Sequence, residues 1–169
     1  AEWVLHPSLS SGGVLLGIAL VVLAVPLTLL SQCFAMRLMG RIPEGTMSRW
    51  SLAYVRVWLK TGIMDSANAW LSGTLLWRVW LRGAGMKIGR NSEVGTIIDT
   101  VPEMVEIGSE TFFADGIYLA GPHVHRGTVT LANVKLGDSD FLGNHAVVPC
   151  GQTIPDGVLL GVCTLANEK

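Results

Sequence analysis

An all-β fold, a parallel β-helix built on a hexapeptide repeat, is what the second half of this sequence predicts. The first observation is spacing. An aliphatic or aromatic residue returns at Ile107, Phe113, Leu119, Leu136, Leu142, Val148, Ile154 and Leu160, six positions apart except across one interruption. The second is what surrounds those positions. Gly or another turn-tolerant residue follows most of them (Gly108, Gly137, Gly143, Pro149, Pro155, Gly161), and a small or β-branched residue often stands four places on (Thr111, Ile117, Ala146, Val158, Thr164). Neither an α-helix nor a hairpin has that period. Short strands that each turn one side chain inward and then bend do have it.

Composition adds that the chain is not wholly soluble. Half of its 169 residues are hydrophobic and 15% are charged, with a mean hydropathy of +0.47. The net charge of -1 hides an asymmetry of about -1 over residues 1–36, +7 over 37–90 and -7 over 91–169. Cys33, Cys150 and Cys163 are odd in number and lack metal-type spacing, which suits reduced thiols and a cytosolic face.

Residues 1–41 are expected to form a transmembrane segment. No Asp, Glu, Lys or Arg occurs between Glu2 and Arg37, and Val14 to Leu30 is apolar apart from Gly17, Pro26 and Thr28. A signal peptide wants basic residues ahead of its apolar run, whereas Arg37 and Arg41 follow this one. The positive-inside rule then places the downstream chain in the cytoplasm. A chain beginning at Ala1 reads as a piece of a longer protein.

Residues 42–85 read as two amphipathic helices separated around Gly62 to Ser66. Trp50, Tyr54 and Trp58 recur at helical spacing, Trp70, Trp77 and Leu81 are expected on one face, and Arg56/Lys60 and Arg78/Arg82 form basic pairs. Basic groups beside aromatics suit a membrane interface, or the helices cap the open end of the strand stack. Nucleic acid is disfavoured as a partner, because the aromatics sit on helical spacing next to a membrane span. Residues 86–169 are then the β-helix. Its period is suspended between Leu119 and Leu136 by Ala-Gly-Pro-His-Val-His-Arg-Gly at 120–127, which carries two of the four histidines; such a polar loop in a solenoid marks a candidate site.

The run Ile88-Gly-Arg-Asn and the longer run Lys135-Leu-Gly-Asp-Ser-Asp-Phe-Leu-Gly-Asn-His-Ala-Val-Val-Pro-Cys-Gly resemble the left-handed β-helix of hexapeptide-repeat acyltransferases over about residues 86–165. More narrowly, four features in combination resemble the membrane-embedded C-terminal region of nonribosomal peptide synthetase-like proteins of the poly-lysine synthetase type. They are the apolar segment, Ser72-Gly-Thr ahead of Trp77-Arg-Val-Trp-Leu-Arg-Gly-Ala-Gly-Met-Lys-Ile-Gly, then Gly143-Asn-His-Ala-Val-Val-Pro, and Asp156-Gly-Val-Leu-Leu-Gly-Val.

The resemblance implies acyl or aminoacyl transfer from a phosphopantetheine thioester to an amine or hydroxyl acceptor. The donor is held by a carrier domain or coenzyme A, and the partners are that carrier, the lipid bilayer, and a homotrimer or tandem β-helix. It also implies a general-base histidine in the inserted loop. Ala120-Gly-Pro-His is similar to the catalytic loop of sugar acetyltransferases, with Pro122 as an extra residue, so His123 is the first candidate and His125 the second. Neutral imidazole suits the proton transfer. The alternative is a catalytically inert β-helix that docks a carrier domain at the membrane. His145, inside an unbroken repeat, is expected to be structural. No metal is expected, since the positions matching the zinc ligands of carbonic anhydrase-like members hold Asn144 and Pro149.

Overall fold

The computed structural model describes residues 11–166. Helix α1 (Ser11–Leu38) is followed by strand β1 (Gly45–Ser48), helix α2 (Leu52–Leu71) and helix α3 (Leu75–Ala84). Thirteen short strands follow: β2 (Lys87–Ile88), β3 (Glu93–Val94), β4 (Ile97–Ile98), β5 (Val105–Ile107), β6 (Phe112–Phe113), β7 (Ile117–Leu119), β8 (His123–His125), β9 (Thr128–Leu131), β10 (Val134–Leu136), β11 (Phe141–Leu142), β12 (Val147–Val148), β13 (Thr153–Ile154) and β14 (Leu159–Leu160).

These strands divide among four small sheets. Three are parallel, with orders β2-β5-β10-β13, β3-β6-β11-β14 and β4-β7-β12; the fourth is antiparallel, β1-β9-β8. The expectation of an all-β chain forming a single left-handed parallel β-helix is therefore corrected. The chain mixes α and β, with helices of 28, 20 and 10 residues, and its strands lie in several separate sheets. The cause is physical. A six-residue period reports which side chains turn inward, and it is silent on the helical half and on excursions that pair elsewhere.

The inward positions are where that period puts them. Ile107, Phe113, Leu119, Leu136, Leu142, Val148 and Ile154 are buried, and Leu160, on β14 at the last edge of its sheet, is half-buried. Close packing at the corners needs glycine. A Cβ on Gly108 would stand 2.2 Å from the carbonyl oxygen of Gly137, leaving no room for any other residue.

Among the described residues one helix, Gly12–Leu38, is long and apolar enough to cross a membrane, and none of its most apolar stretch is buried. Its last turns pack against the body: Met36 is buried, Cys33 and Leu29 join the core, and the Arg37 side chain donates to the Gly83 carbonyl at the end of α3.

The expected break between the two amphipathic helices is also corrected. Helix α2 runs unbroken through Gly62 to Ser66 and ends at Ser72 to Thr74, where Gly73 has φ +74°. Ser51 caps its start by accepting from the Tyr54 N–H. Gly62 is exposed, so it lowers helix propensity without disturbing packing. Trp70 therefore does not share a face with Trp77 and Leu81. It projects outward from α2, whereas Trp77 and Leu81 are 1% and 0% exposed on α3. Trp50 precedes the cap and lies outside the helix.

The basic pairs turn inward more than expected. Arg56 donates to the Arg41 carbonyl, Arg78 to Ser92, and Arg82 to Ile88 and Gly89, so α3 is clamped on the first strands of the three-sheet body. Trp77 Nε1 adds a bond to the Gly95 carbonyl. Lys60 is buried and pairs with Glu103, while also donating to the Gly40 carbonyl.

Candidate functional site

The inserted segment forms a hairpin. Strands β8 and β9 are joined by Arg126 and Gly127, whose φ angles of +42° and +81° are both left-handed. A two-residue turn of that kind matches the right-handed twist of the strands it joins. The Thr128 hydroxyl donates to the His125 carbonyl across the turn. Strand β1 pairs with the outer edge of β9, with Thr46 opposite Thr130 and Ser48 opposite Thr128.

Alternation along these strands gives the sheet two faces. Val129 and Leu131 are buried on one, beside Met47, which packs against the small core of Val57, Val101 and Met104. The other carries His123, His125, Thr128, Thr130, Thr46 and Ser48. Both imidazoles are exposed, and their rings lie 6.4 Å apart and nearly parallel. Thr46 and Thr130 share a hydroxyl–hydroxyl bond of 2.9 Å.

Thus His123 and His125 are brought together, on a face that also bears four hydroxyl groups. Sequence reading misses those hydroxyls. Their signal is the alternation Thr-Val-Thr-Leu next to Arg-Gly, which marks a hairpin strand rather than a loop. Among the described residues, neither imidazole has a side-chain hydrogen-bond partner, and His, Cys, Asp and Glu form no group of three that could hold a metal ion.

His145 stands apart. It is exposed, has φ +56°, donates its backbone N–H to the Asp115 carbonyl, and lies so closely over Gly116 that a Cβ there would come within 2.4 Å of its Nδ1. Asn144 accepts from the Asp115 N–H rather than facing any cluster of ligands. His6 lies outside the described residues.

Two cavities lie elsewhere. A groove of about 830 Å³ runs between α3 and strands β3 and β6, lined by Leu75, Arg78, Arg82, Phe112 and Asp115 among others. A smaller pocket of about 310 Å³ is lined by Arg41, Glu44, Glu103, Glu106, Lys87 and Lys135 among others. There the Lys87 ammonium, hydrogen-bonded to Glu106, holds the Glu106 carboxyl below its ordinary pKa. Neither cavity is lined by His123 or His125.

The described chain is thus an apolar helix of membrane-spanning length joined to a mixed α/β body that exposes an imidazole and hydroxyl face. No family model matches it. Over 125 residues, 72% of the chain, it is 34% identical to Delta-poly-L-ornithine synthetase of Acinetobacter baumannii (strain AB307-0294), and it spans 9% of that protein's length. The similarity agrees, at the level of a poly-amino-acid synthetase, with the resemblance drawn from the sequence.

Proposed function

We propose that this chain is the membrane-held part of a poly-amino-acid synthetase-like enzyme and transfers an acyl or aminoacyl group from a phosphopantetheine thioester to an amine or hydroxyl acceptor. The observation that carries the reading is the pair of unpartnered imidazoles on an open polar face, in a chain similar to a synthetase of an amino-acid polymer.

In that reaction the acceptor's nitrogen or oxygen forms a bond to the thioester carbonyl carbon, the carbon–sulfur bond breaks, and the pantetheine thiol leaves. His123 takes the acceptor's proton and returns it to the departing sulfur. His125, 6.4 Å away, is the second base. Thr128 and Thr130, cross-strand from the two histidines, orient the acceptor through their hydroxyls. Exposure of the whole of β8 suits a donor delivered by a carrier domain rather than a small molecule enclosed in a cavity.

The test is intact-mass detection of acyl transfer by the full-length protein with its own carrier. His123→Ala is expected to lower turnover by at least about a hundredfold, within the usual contribution of a general base, with the fold intact because an exposed strand residue buries little. His125→Ala is expected to lower it less. Equal turnover by both single variants and the double variant would leave the inert scaffold that docks a carrier domain as the better account.

Helix α1 is proposed to cross the bilayer with Arg37 on the cytoplasmic side. A cysteine at position 37 should resist labelling from outside intact cells, and carbonate should not release the protein. Labelling from outside would reverse the orientation; release would remove the span.

A further inference from the structure

Cations that the body uses internally differ from those it leaves free. Arg37, Arg56, Lys60, Arg78 and Arg82 all donate to protein oxygens. Among the described residues the side chains of Arg41, Arg90, Lys135, Arg49 and Arg126 have no hydrogen-bond acceptor, and of these the exposed pair Arg49 and Arg126 is distinctive in its placement. They meet at the tip of the β8–β9 hairpin. The Arg49 backbone N–H donates to the Gly127 carbonyl at 3.0 Å, and the Arg49 Cδ would lie 3.9 Å from a Cβ on Gly127, the residue after Arg126. Residues 45–51 and 121–135 themselves contain no Asp or Glu.

Trp50 stands next to them. It is 86% exposed and carries the Arg49 guanidinium 5.3 Å from its ring centre. Exposed apolar side chains lie along the outer side of α2 at Leu52, Val55 and Trp58, and again at Trp70 and at Leu75 and Val79 of α3, with exposed Gly62, Asp65 and Ser66 between the two groups. The opposite sides of both helices are buried in the body. Apolar side chains left in water are costly, and these adjoin α1, whose last turns pack on α3. Asp65 is an exposed acid between the two groups; burial and the nearby Asp99 push its carboxyl pKa up, and Asp99 in turn lies 3.6 Å from where a Cβ on Gly121 would stand, just ahead of β8.

We infer that the hairpin tip and the outer side of α2 and α3 form a docking surface for an anionic bilayer, with Arg49 and Arg126 on lipid phosphates and Trp50 at headgroup depth. It rests on the reading above in taking α1 as inserted, and it deepens it. The surface holds His123 and His125 beside the membrane, so transfer takes place at the headgroup layer. Charge complementarity selects lipid over another protein: two unpartnered guanidinium groups with an aromatic between water and hydrocarbon match a phosphate-bearing interface.

The experiment uses the full chain in phosphatidylcholine nanodiscs with and without phosphatidylglycerol. Val124, exposed on β8, is replaced by a spin-labelled cysteine after Cys33, Cys150 and Cys163 are changed to alanine. Phosphatidylglycerol should shift the label from access by a water-soluble relaxant toward access by oxygen. Arg49→Glu with Arg126→Glu should abolish that shift, a change of roughly thirtyfold or more in the docked ratio for two arginines at an anionic surface. Amide exchange at Arg126 to Thr128 in the unlabelled chain gives the same readout free of the probe. An inserted chain whose label and amides ignore both lipid composition and the double variant overturns this inference alone. A chain that fails to enter the nanodiscs overturns the insertion as well. Protection by inorganic phosphate in phosphatidylcholine equal to that by phosphatidylglycerol overturns the choice of lipid.

Discussion

Replacing Leu142 by aspartate is expected to abolish the cooperative unfolding transition of the three-sheet body. Leu142 is fully buried on β11, which hydrogen-bonds to β6 on one side and β14 on the other. Its neighbours in register are Phe113 and Leu160. A carboxylate placed there has no partner, and an unpaired buried charge or forced protonation costs several kcal/mol, on the scale of the roughly 5–15 kcal/mol by which whole domains are stable. The control lies one residue away. Phe141 turns outward from the same strand, stacked on Phe112 at 5.4 Å and 42% exposed. Phe141→Asp removes that stacking and leaves the carboxylate in water, so it should cost only about 0.5–1.5 kcal/mol beyond the lost burial. Near-ultraviolet circular dichroism and thermal melting of the full chain in detergent separate the two. Equal loss in both variants would mean that the inward and outward faces of β11 are wrongly assigned.

That contrast shows what is legible in the sequence. A fixed period reports the direction of side chains, so spacing alone assigns Ile107, Phe113, Leu119, Leu136, Leu142, Val148 and Ile154 to the interior, where all seven are found. The fold class is not legible by the same route. The period covers only the strand-rich half, where each strand has two to four residues and each sheet is separate. Strand β1 carries no local signal at all, because its partner β9 lies more than eighty residues further on, as the bond from Thr46 to Thr130 shows. The end of α2 is misplaced because Gly62 reads as a breaker, yet a glycine on an exposed helix face costs only about 1 kcal/mol against the packing of Met64, Ala67 and Leu71. For the site, the break in the repeat points to the two histidines. It does not give their geometry, since a polar insertion reads as loop although its alternation and Arg-Gly turn encode a hairpin. The basic helix residues read as a solvated or interfacial face, whereas most of them bond carbonyls at element ends, a contact that exists only once those elements are stacked.

Replacing Glu103 by alanine should destabilise the chain by about 3–5 kcal/mol, the usual consequence of removing one partner of a buried ion pair. Glu103 follows Pro102 in a single 3-10 turn ahead of β5, and its side chain is 8% exposed. It pairs with Lys60 of α2, 2% exposed, and its Oε1 also accepts from the Ile42 N–H, while Lys60 donates to the Gly40 carbonyl at 2.8 Å. Three pieces of chain therefore converge on one pair of charges: the link after α1, the middle of α2, and the entry to β5. Without the carboxylate, the ammonium stays buried with one carbonyl for company. The exposed pair Lys87–Glu106 provides the comparison, since a surface pair contributes about 0–1 kcal/mol and is screened by salt. The double replacement Lys60→Met with Glu103→Leu removes both charges together, so it should recover most of the loss through strong non-additivity. Denaturant unfolding of Lys60→Met, Glu103→Leu and the double variant, beside Glu103→Ala and Lys87→Ala, in detergent at low and high salt, measures the cycle. If Glu103→Ala costs no more than Lys87→Ala, or if the double variant costs the sum of its parts, the pair is not what joins the helices to the sheets.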